Sequence, residues 1–289
     1  MSVTGLRSET AKTEPLSDPL AGVRARGLID LTADFSDGLT RRTRVREEGA
    51  LRVRFPKERF DRLDAVIVNV AGGMTGGDQF GIALNAGRDA RLAISTVAAE
   101  KIYRSSGDPT LIDVSLHLDA RARMIWIPQE TIIFANARLK RSICAEMAPD
   151  ASLTMCETTL LGRTAMGEIM DDIGWREQWR IRRGGKLIFA DAVRMDGDAA
   201  RLLSRRGTAN NARAFATLLH VAPDAEAQCE KVREALNQCA TRACEAAATA
   251  FDGMLIVRFV AQHGHDLRAS MMDCLAALPD AGLPRSWST

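Results

Sequence analysis

Apolar and polar residues alternate with a period of two over much of this chain. The clearest run, Ile112-Asp113-Val114-Ser115-Leu116-His117-Leu118, sets Ile112, Val114, Leu116 and Leu118 on one face of an extended strand and the polar residues on the other. Further strands are expected at residues 51–55, 65–70, 90–96, 139–147, 153–161, 175–181, 187–195 and 214–221. Turn formers separate them at short intervals, as in Gly107-Asp108-Pro109, Pro149-Asp150, Arg183-Gly184-Gly185 and Asp196-Gly197-Asp198. The pattern predicts a large, multi-stranded, mainly β body reaching to about residue 221. Residues 1–23 are polar and aperiodic and read as a disordered tail.

The period changes after Pro223-Asp224. Asp224 is placed as an N-cap, and Val232, Leu236, Cys239 and Ala243 recur at helical spacing, which predicts a helix over 225–250. A strand at 254–260 and a second helix over 266–278 follow, the helix turning Leu267, Met271, Leu275 and Leu278 inward. The two C-terminal α-helices are expected to form a layer over 224–278 on the β body, all within one domain spanning 24–289.

Composition narrows the function. The chain has 289 residues, 46% of them hydrophobic, enough for a sizeable core. Thirty-nine Lys and Arg against 37 Asp and Glu leave a net charge of +2, so no bulk field draws nucleic acid or an anionic membrane. No segment approaches the roughly 20 apolar residues of a membrane span, and the polar first residues lack a secretory signal; a cytoplasmic location is expected. The six cysteines are irregularly spaced, with no Cys-x-x-Cys, and read as free thiols. With four histidines, none placed as a base, and no Gly-x-Ser-x-Gly elbow, nucleophilic catalysis is poorly supported. His263-Gly264-His265 reads either as half of a metal site or as a solvated turn.

The densest chemistry lies at residues 69–80, Asn-Val-Ala-Gly-Gly-Met-Thr-Gly-Gly-Asp-Gln-Phe, where the apolar run Ala65-Val66-Ile67-Val68 empties into Gly72, Gly73, Gly76 and Gly77. Neither a P-loop nor a dinucleotide loop is present, because Asp78-Gln79 stands where Lys and Ser/Thr would be needed. The loop suits a cation, a tight turn or a partner. Asp78, Glu157, Glu168 and Asp191 all sit in apolar or glycine-rich surroundings, where an ionised group must be paired, hydrogen-bonded or metal-bound. Arg163 is near Glu157 and Glu168 in sequence, Arg194 is near Asp191, and Asp78 is placed to cap its own turn. Tyr103, Arg104 and Arg163 are candidates for a partner interface, the alternatives being core packing for Tyr103 and turn closure for Arg104. Trp287 is expected to pack the C-terminal segment onto the body.

Four further segments follow the glycine loop in order. They are Ala99-Glu100-Lys101-Ile102-Tyr103-Arg104-Ser105-Ser106, Trp126-Ile127-Pro128-Gln129-Glu130, Leu161-Gly162-Arg163-Thr164-Ala165-Met166-Gly167-Glu168, and Leu283-Pro284-Arg285-Ser286-Trp287-Ser288-Thr289. As an ordered set they resemble the UreD (UreH) urease accessory proteins, from about residue 24 to residue 289. The resemblance implies a β-helix-like stack of strands with two late helices. It further implies a non-enzymatic chaperone of urease maturation that acts with UreF, the GTPase UreG and the urease apoprotein. Nickel would then be a transient, low-affinity cargo with no tightly bound cofactor, and Asp78, Glu157, Glu168 and Asp191 match acidic positions along a proposed internal nickel route. Hard carboxylates in series hold such an ion weakly enough to release it. One departure is local: the family commonly has His-Pro-Pro where this chain has Asn69-Val70-Ala71. Two other readings stand beside this one, a β scaffold that recruits partners without touching metal, and an enzyme using the glycine loop on a small substrate.

Overall fold

The structure is a computed structural model describing residues 24–56, 62–105, 107–163, 166–238, 243–279 and 282–287. The tail expected at 1–23 lies outside the described residues, as do Ser106, Thr164, Ala165, Cys239, Ser288 and Thr289. The chain runs β1 (Arg26–Ser36), β2 (Leu39–Gly49), β3 (Leu51–Arg54), β4 (Leu63–Asn69), β5 (Gln79–Ala86), β6 (Arg91–Thr96), β7 (Glu100–Ile102), β8 (Thr110–Leu118), β9 (Arg123–Trp126), β10 (Thr131–Ile133), β11 (Arg138–Met147), β12 (Ser152–Leu161), β13 (Ile173–Arg183) and β14 (Lys186–Gly197). After these come α1 (Ala199–Leu203), β15 (Ala214–Val221), α2 (Cys229–Gln238), β16 (Cys244–Phe251), β17 (Met254–Ala261) and α3 (Gly264–Ala277).

From β4 to β13 the chain deals its main strands alternately to two sheets. β5, β8, β11 and β13 run parallel in the first, and β4, β6, β9 and β12 run parallel in the second. Gln79 stands beside Leu111, Leu111 beside Lys140 and Lys140 beside Arg176, while Leu92 stands beside Met124 and Met124 beside Leu153. Each circuit therefore lays one strand on each sheet, the β-helix-like stack that the resemblance implied. The short strands β7 and β10 form a narrow third side, paired with each other and, through β10, with β12.

A parallel stack leaves unpaired edges, and further strands extend it at both ends, β1 joining β5 in parallel and the others pairing antiparallel. β1 and β2 continue the first sheet past β5, β14 continues it past β13, β3 pairs with β4, and β15, β17 and β16 extend the second sheet past β12. The hairpin turns Asp37-Gly38, Gly184-Gly185 and Asp252-Gly253 carry positive φ at both residues, the geometry that matches strand twist in two-residue loops.

Burial follows from this layering. β8 alternates as expected, with Ile112, Val114, Leu116 and Leu118 buried between the sheets and the polar set outward. β12 does not alternate: residues 153–159 are all buried, because the first sheet covers one face and the helices with Trp287 cover the other. α3 buries Leu267, Met271 and Leu275 as its spacing predicts, and Leu278 is buried just past its end. Among the described residues no helix is long and apolar enough to cross a membrane.

The helix expected over 225–250 is corrected. A 3-10 turn (Ala225–Gln228) leads into α2, which ends at Gln238, and Cys244–Phe251 is a strand. Ala246, Ala247, Ala248 and Ala250 favour helix in isolation. Pairing with β17 across the Asp252-Gly253 turn overrides that preference. The sequence pattern also named no strand at β1, β2, β5, β7, β9 or β10 and no helix at α1.

Gly253→Ala tests the hairpin. At φ +70 a Cβ is strained, so the urea midpoint should fall by the equivalent of about 1 kcal/mol with the m-value unchanged. An unchanged midpoint would show that the turn contributes nothing.

Candidate functional site

The glycine loop, β7, β10 and the segment after β12 are successive layers of one corner of the stack. The Met74 amide donates to the Lys101 carbonyl (2.8 Å), Tyr103 to Met74 (2.7 Å), Phe134 to Ile102 (3.0 Å) and Gly162 to Ile133 (2.8 Å). The glycines are required by this stacking. A Cβ on Gly73 would lie 2.3 Å from the Tyr103 ring, and one on Gly76 would lie 1.9 Å from Ser105 Oγ and 2.4 Å from the Asp108 carbonyl oxygen. Gly72 and Gly77 hold φ of +75 and +86. Of the openings that the sequence left for this loop, the geometry fits the tight turn packed on its own next coil.

Asp78 is buried at the base of that turn. Its Oδ1 accepts from the Ala25 amide (2.8 Å) and its Oδ2 from the Thr75 amide (2.7 Å), so both oxygens serve the main chain. Asn69 Nδ2 donates to Glu100 Oε2 (3.0 Å), tying the loop to the layer above. Burial raises the Glu100 pKa, and the Asn69 bond opposes that rise.

The outside of this corner is a ladder of side chains. Tyr103 meets Phe134 edge to face at 5.2 Å, and the Arg163 guanidinium lies 4.7 Å over the same Phe134 ring. Glu168 closes the next layer, accepting from the Arg163 amide (2.8 Å), the Ala135 amide (3.1 Å) and Arg163 Nε (3.2 Å). Its partial burial raises the carboxyl pKa, but the Arg163 bonds outweigh this and hold it below the ordinary value. Tyr103 is exposed rather than buried in the core, as are Val70, Met166 and Ile169 in the same layers. Arg104 is also exposed, its backbone bridging to Ala137.

Glu157 and Asp191 meet elsewhere, in a cavity of about 220 Å³ between the two sheets beyond the last parallel coil. At its inner end Arg141 faces two carboxylates. Glu177 Oε2 accepts from Arg141 Nε (3.0 Å) and Nη2 (2.5 Å), while Glu157 Oε2 lies 2.6 Å from Nη1. Three indoles complete the shell: Trp126 donates to Glu157 Oε1 (2.8 Å), Trp179 to Glu177 Oε1 (2.7 Å) and Trp175 to Glu177 Oε2 (3.4 Å). Glu157 Oε2 accepts no aligned hydrogen bond, so its contact with Arg141 is Coulombic. Full burial, reinforced by the nearby Glu177 charge, pushes the Glu157 carboxyl up to about 7 despite the pull of Arg141 and the Trp126 bond.

Asp191 stands at the outer end of the cavity. It pairs with Arg258 (2.7 Å), which also donates to Thr217 Oγ1 (2.8 Å), and Thr217 is the register neighbour of Glu157. A polar line thus runs from half-exposed Arg258 to the buried triad. The partners anticipated from sequence proximity are corrected in two cases: Glu157 pairs with Arg141 rather than Arg163, and Asp191 with Arg258 rather than Arg194, which binds Asp196. Glu168 does pair with Arg163. Glu177 was missed, although its place between Trp175 and Trp179 at i±2 marks it as sharing their buried face.

The remaining segments dock the helical layer. Trp287 Nε1 donates to the Ile127 carbonyl (2.9 Å), Gln129 Nε2 to the Ser286 carbonyl (2.7 Å), and Arg268 of α3 to Gln129 and Glu130 (2.5 and 2.8 Å) while lying over the Trp287 ring. Trp287 packs the C-terminal segment as expected. Cys144, Cys156, Cys229, Cys244 and Cys274 are free thiols, and the His263 and His265 rings stack at 5.6 Å. Among the described residues no three His, Cys, Asp or Glu side chains stand close enough to hold a metal ion.

A sequence model of the family described as UreD urease accessory protein matches residues 25–288. The chain is 45% identical over 264 residues to urease accessory protein UreD 3 of a Bradyrhizobium species, covering 91% of this chain and 94% of that one. It is 43% identical over 267 residues to urease accessory protein UreD of Rhodopseudomonas palustris, covering 92% and 95%. With urease accessory protein UreD of Xanthobacter autotrophicus it shares 46% identity over 266 residues, covering 92% and 91%.

The triad makes two predictions. Arg141→Met strands two buried carboxylates and should cost about 3–5 kcal/mol in urea unfolding. Glu157→Gln should act on pH dependence instead. Folded Glu157 keeps its proton up to about 7, whereas an unfolded Glu releases it near about 4.3. Between those values the folded state binds more protons, so wild-type stability should fall as pH rises and then level off. The Gln variant should lack that fall when midpoints are compared across the same window; parallel curves would contradict the assignment.

Proposed function

The chain belongs to the UreD family of urease accessory proteins, and from that premise we propose that it passes Ni²⁺ toward the apo-urease active site while held in a complex with UreF and UreG. A role in urease maturation follows from the family itself. The nickel role rests on one observation, the convergence of Glu157, Glu177 and Asp191 on a single cavity.

Two carboxylates against one arginine leave a negative charge at the inner end when both are ionised. Ni²⁺ arriving past Asp191 meets hard oxygen ligands in series and no thiolate or imidazole cluster that would retain it. Because Glu157 holds a proton near neutral pH, cation entry displaces that proton and departure restores it. The protein performs no covalent step in this reading; it acts as a non-enzymatic chaperone in the cytoplasm, and nickel is cargo. Asp78 and Glu168 serve the same reading differently, by holding the corner in shape through the main-chain amides they accept.

The corner ladder supports the partner side of the proposal. Tyr103, Arg104 and Arg163 present aromatic and guanidinium groups beside exposed Val70, Met166 and Ile169, the composition of an interface centre. This surface also favours a second reading, an adaptor that recruits UreF and urease without contacting metal. The glycine-loop enzyme gains nothing, since Gly73 and Gly76 are closed off by Tyr103 and Ser105.

Urease activation at limiting nickel separates the two readings. Glu157→Gln and Asp191→Asn should lower urease nickel content several-fold while retaining UreF in pull-down; full loading by both variants would leave the adaptor. Asp78→Asn should behave as a stability variant. Its amide NH₂ would face one of the two amides that the carboxylate now satisfies, at a cost of about 1–3 kcal/mol.

A further inference from the structure

The cavity of Glu157 and Asp191 lies on the side where both sheets end, β14 being the outermost strand of the first and β16 of the second. Asp191 stands on β14 and Arg258 on β17, so the bond between them (Nη1 to Oδ2, 2.7 Å) joins one sheet to the other at the mouth. Glu157, Glu177, Asp191 and Arg258 are the charged residues lining the cavity, and Arg141 stands behind the first two. Three carboxylates therefore face two guanidinium groups while Arg258 is seated, and one when it is away.

One end of the mouth pair is fixed. Asp191 Oδ1 accepts from the Ala192 amide (2.9 Å), which holds the carboxylate in place and leaves Oδ2 to Arg258. The other end is free to move. The Arg258 side chain is 48% exposed against 22% for Asp191, and an ion pair this open to water adds little to stability, so opening it costs little. Its effect on an arriving ion is larger. The seated guanidinium covers the oxygen that a cation would bind and sets a like charge at the entrance.

A second seat lies within reach. β16 pairs with β17 so that Ala247 stands opposite Arg258, and Glu245 is the diagonal neighbour on the same face. Ala247 and Glu245 are both exposed, and the small alanine leaves the guanidinium a path over the strand. Diagonal neighbours are about 7–8 Å apart, a span that long side chains cover. Among the described residues Glu245 forms no ion pair.

We propose that Arg258 gates the cavity: seated on Asp191 it excludes divalent cations, and swung to Glu245, exchanging its Thr217 bond for water, it frees Asp191 Oδ2 to receive one. The inference rests on the nickel reading of this cavity and adds the step that controls entry. Arg258 acts through Asp191 as a positioning residue and does not touch the cargo.

Three of the four tryptophans, Trp126, Trp175 and Trp179, donate to Glu157 or Glu177, so Ni²⁺ that reaches the cavity quenches their fluorescence. The test titrates the full chain with Ni²⁺ at constant ionic strength, beside the uncharged quencher acrylamide. Arg258→Gln should lower the Ni²⁺ concentration for half-maximal quenching roughly ten-fold and leave acrylamide quenching as in wild type. Arg258→Lys, which keeps the charge, and Arg194→Gln, which removes one from the exposed face of β14, should both behave as wild type. Equal Ni²⁺ quenching in wild type and Arg258→Gln overturns the gate and leaves the nickel reading standing. A matching rise in acrylamide quenching also overturns it, by showing a loosened structure instead of a charge barrier. Absence of Ni²⁺ quenching in every variant sinks the nickel reading of the cavity and the gate with it. Should Arg258→Gln fail to fold, Glu245→Gln, on an exposed side chain, carries the test: it removes the open seat and should raise the half-maximal concentration, and an unchanged value overturns the proposal.

Discussion

Arg141 ties the two sheets together at the point where the parallel stack ends. It reaches along the first sheet to Glu177 on the adjacent strand and across the interior to Glu157 on the second sheet. Buried ion clusters of this kind seldom add net stability over apolar packing, because desolvation cancels much of the attraction. What this one supplies is register. A slip of one residue in β13 would turn Glu177 to solvent and an outward-facing residue into the core, leaving Arg141 half-answered. The three indole donors sharpen the same constraint, since each requires a carboxylate oxygen at a fixed place.

The stack converts this register into surfaces. Because each coil repeats the path of the one before, residues far apart in sequence meet as neighbours, and Tyr103, Phe134 and Arg163 become adjacent rungs at one corner. Gly73 is small because the next rung, Tyr103, lies against its backbone. Arg91 and Arg123, at the starts of β6 and β9, become register neighbours in the same way. One geometric rule thus produces both the corner ladder and the carboxylate-lined cavity.

Much of the body was legible in the sequence. Period-two alternation located β8, apolar runs bounded by turn formers located β11 to β15 and β17, and the ordered motifs mark the corner and the docking site of the helical layer. Two things were not legible, each for a physical reason. The alanine-rich 244–251 segment carries helical propensity that only its partner strand overrules, and the Asp252-Gly253 turn was the available sign of that partner. Ion partners were sought nearby in sequence, yet parallel coils place Glu157 against Arg141 and Asp191 against Arg258. Glu177 escaped notice because a charged residue in an alternating strand reads as outward, and only the flanking tryptophans show that its face is the buried one.

The arginine also bears on how an ion could move. Two buried carboxylates without a cation would bind a divalent metal tightly and release it slowly, which suits storage and not transfer. Arg141 competes for the same oxygens, and protonation of Glu157 near neutral pH removes part of the remaining charge. Both effects raise the free energy of a bound cation without removing its ligands. In the proposed route the triad therefore fixes the fold and sets the affinity by one arrangement, and a substitution that strengthened metal binding by deleting the arginine would loosen the register on which the cavity depends.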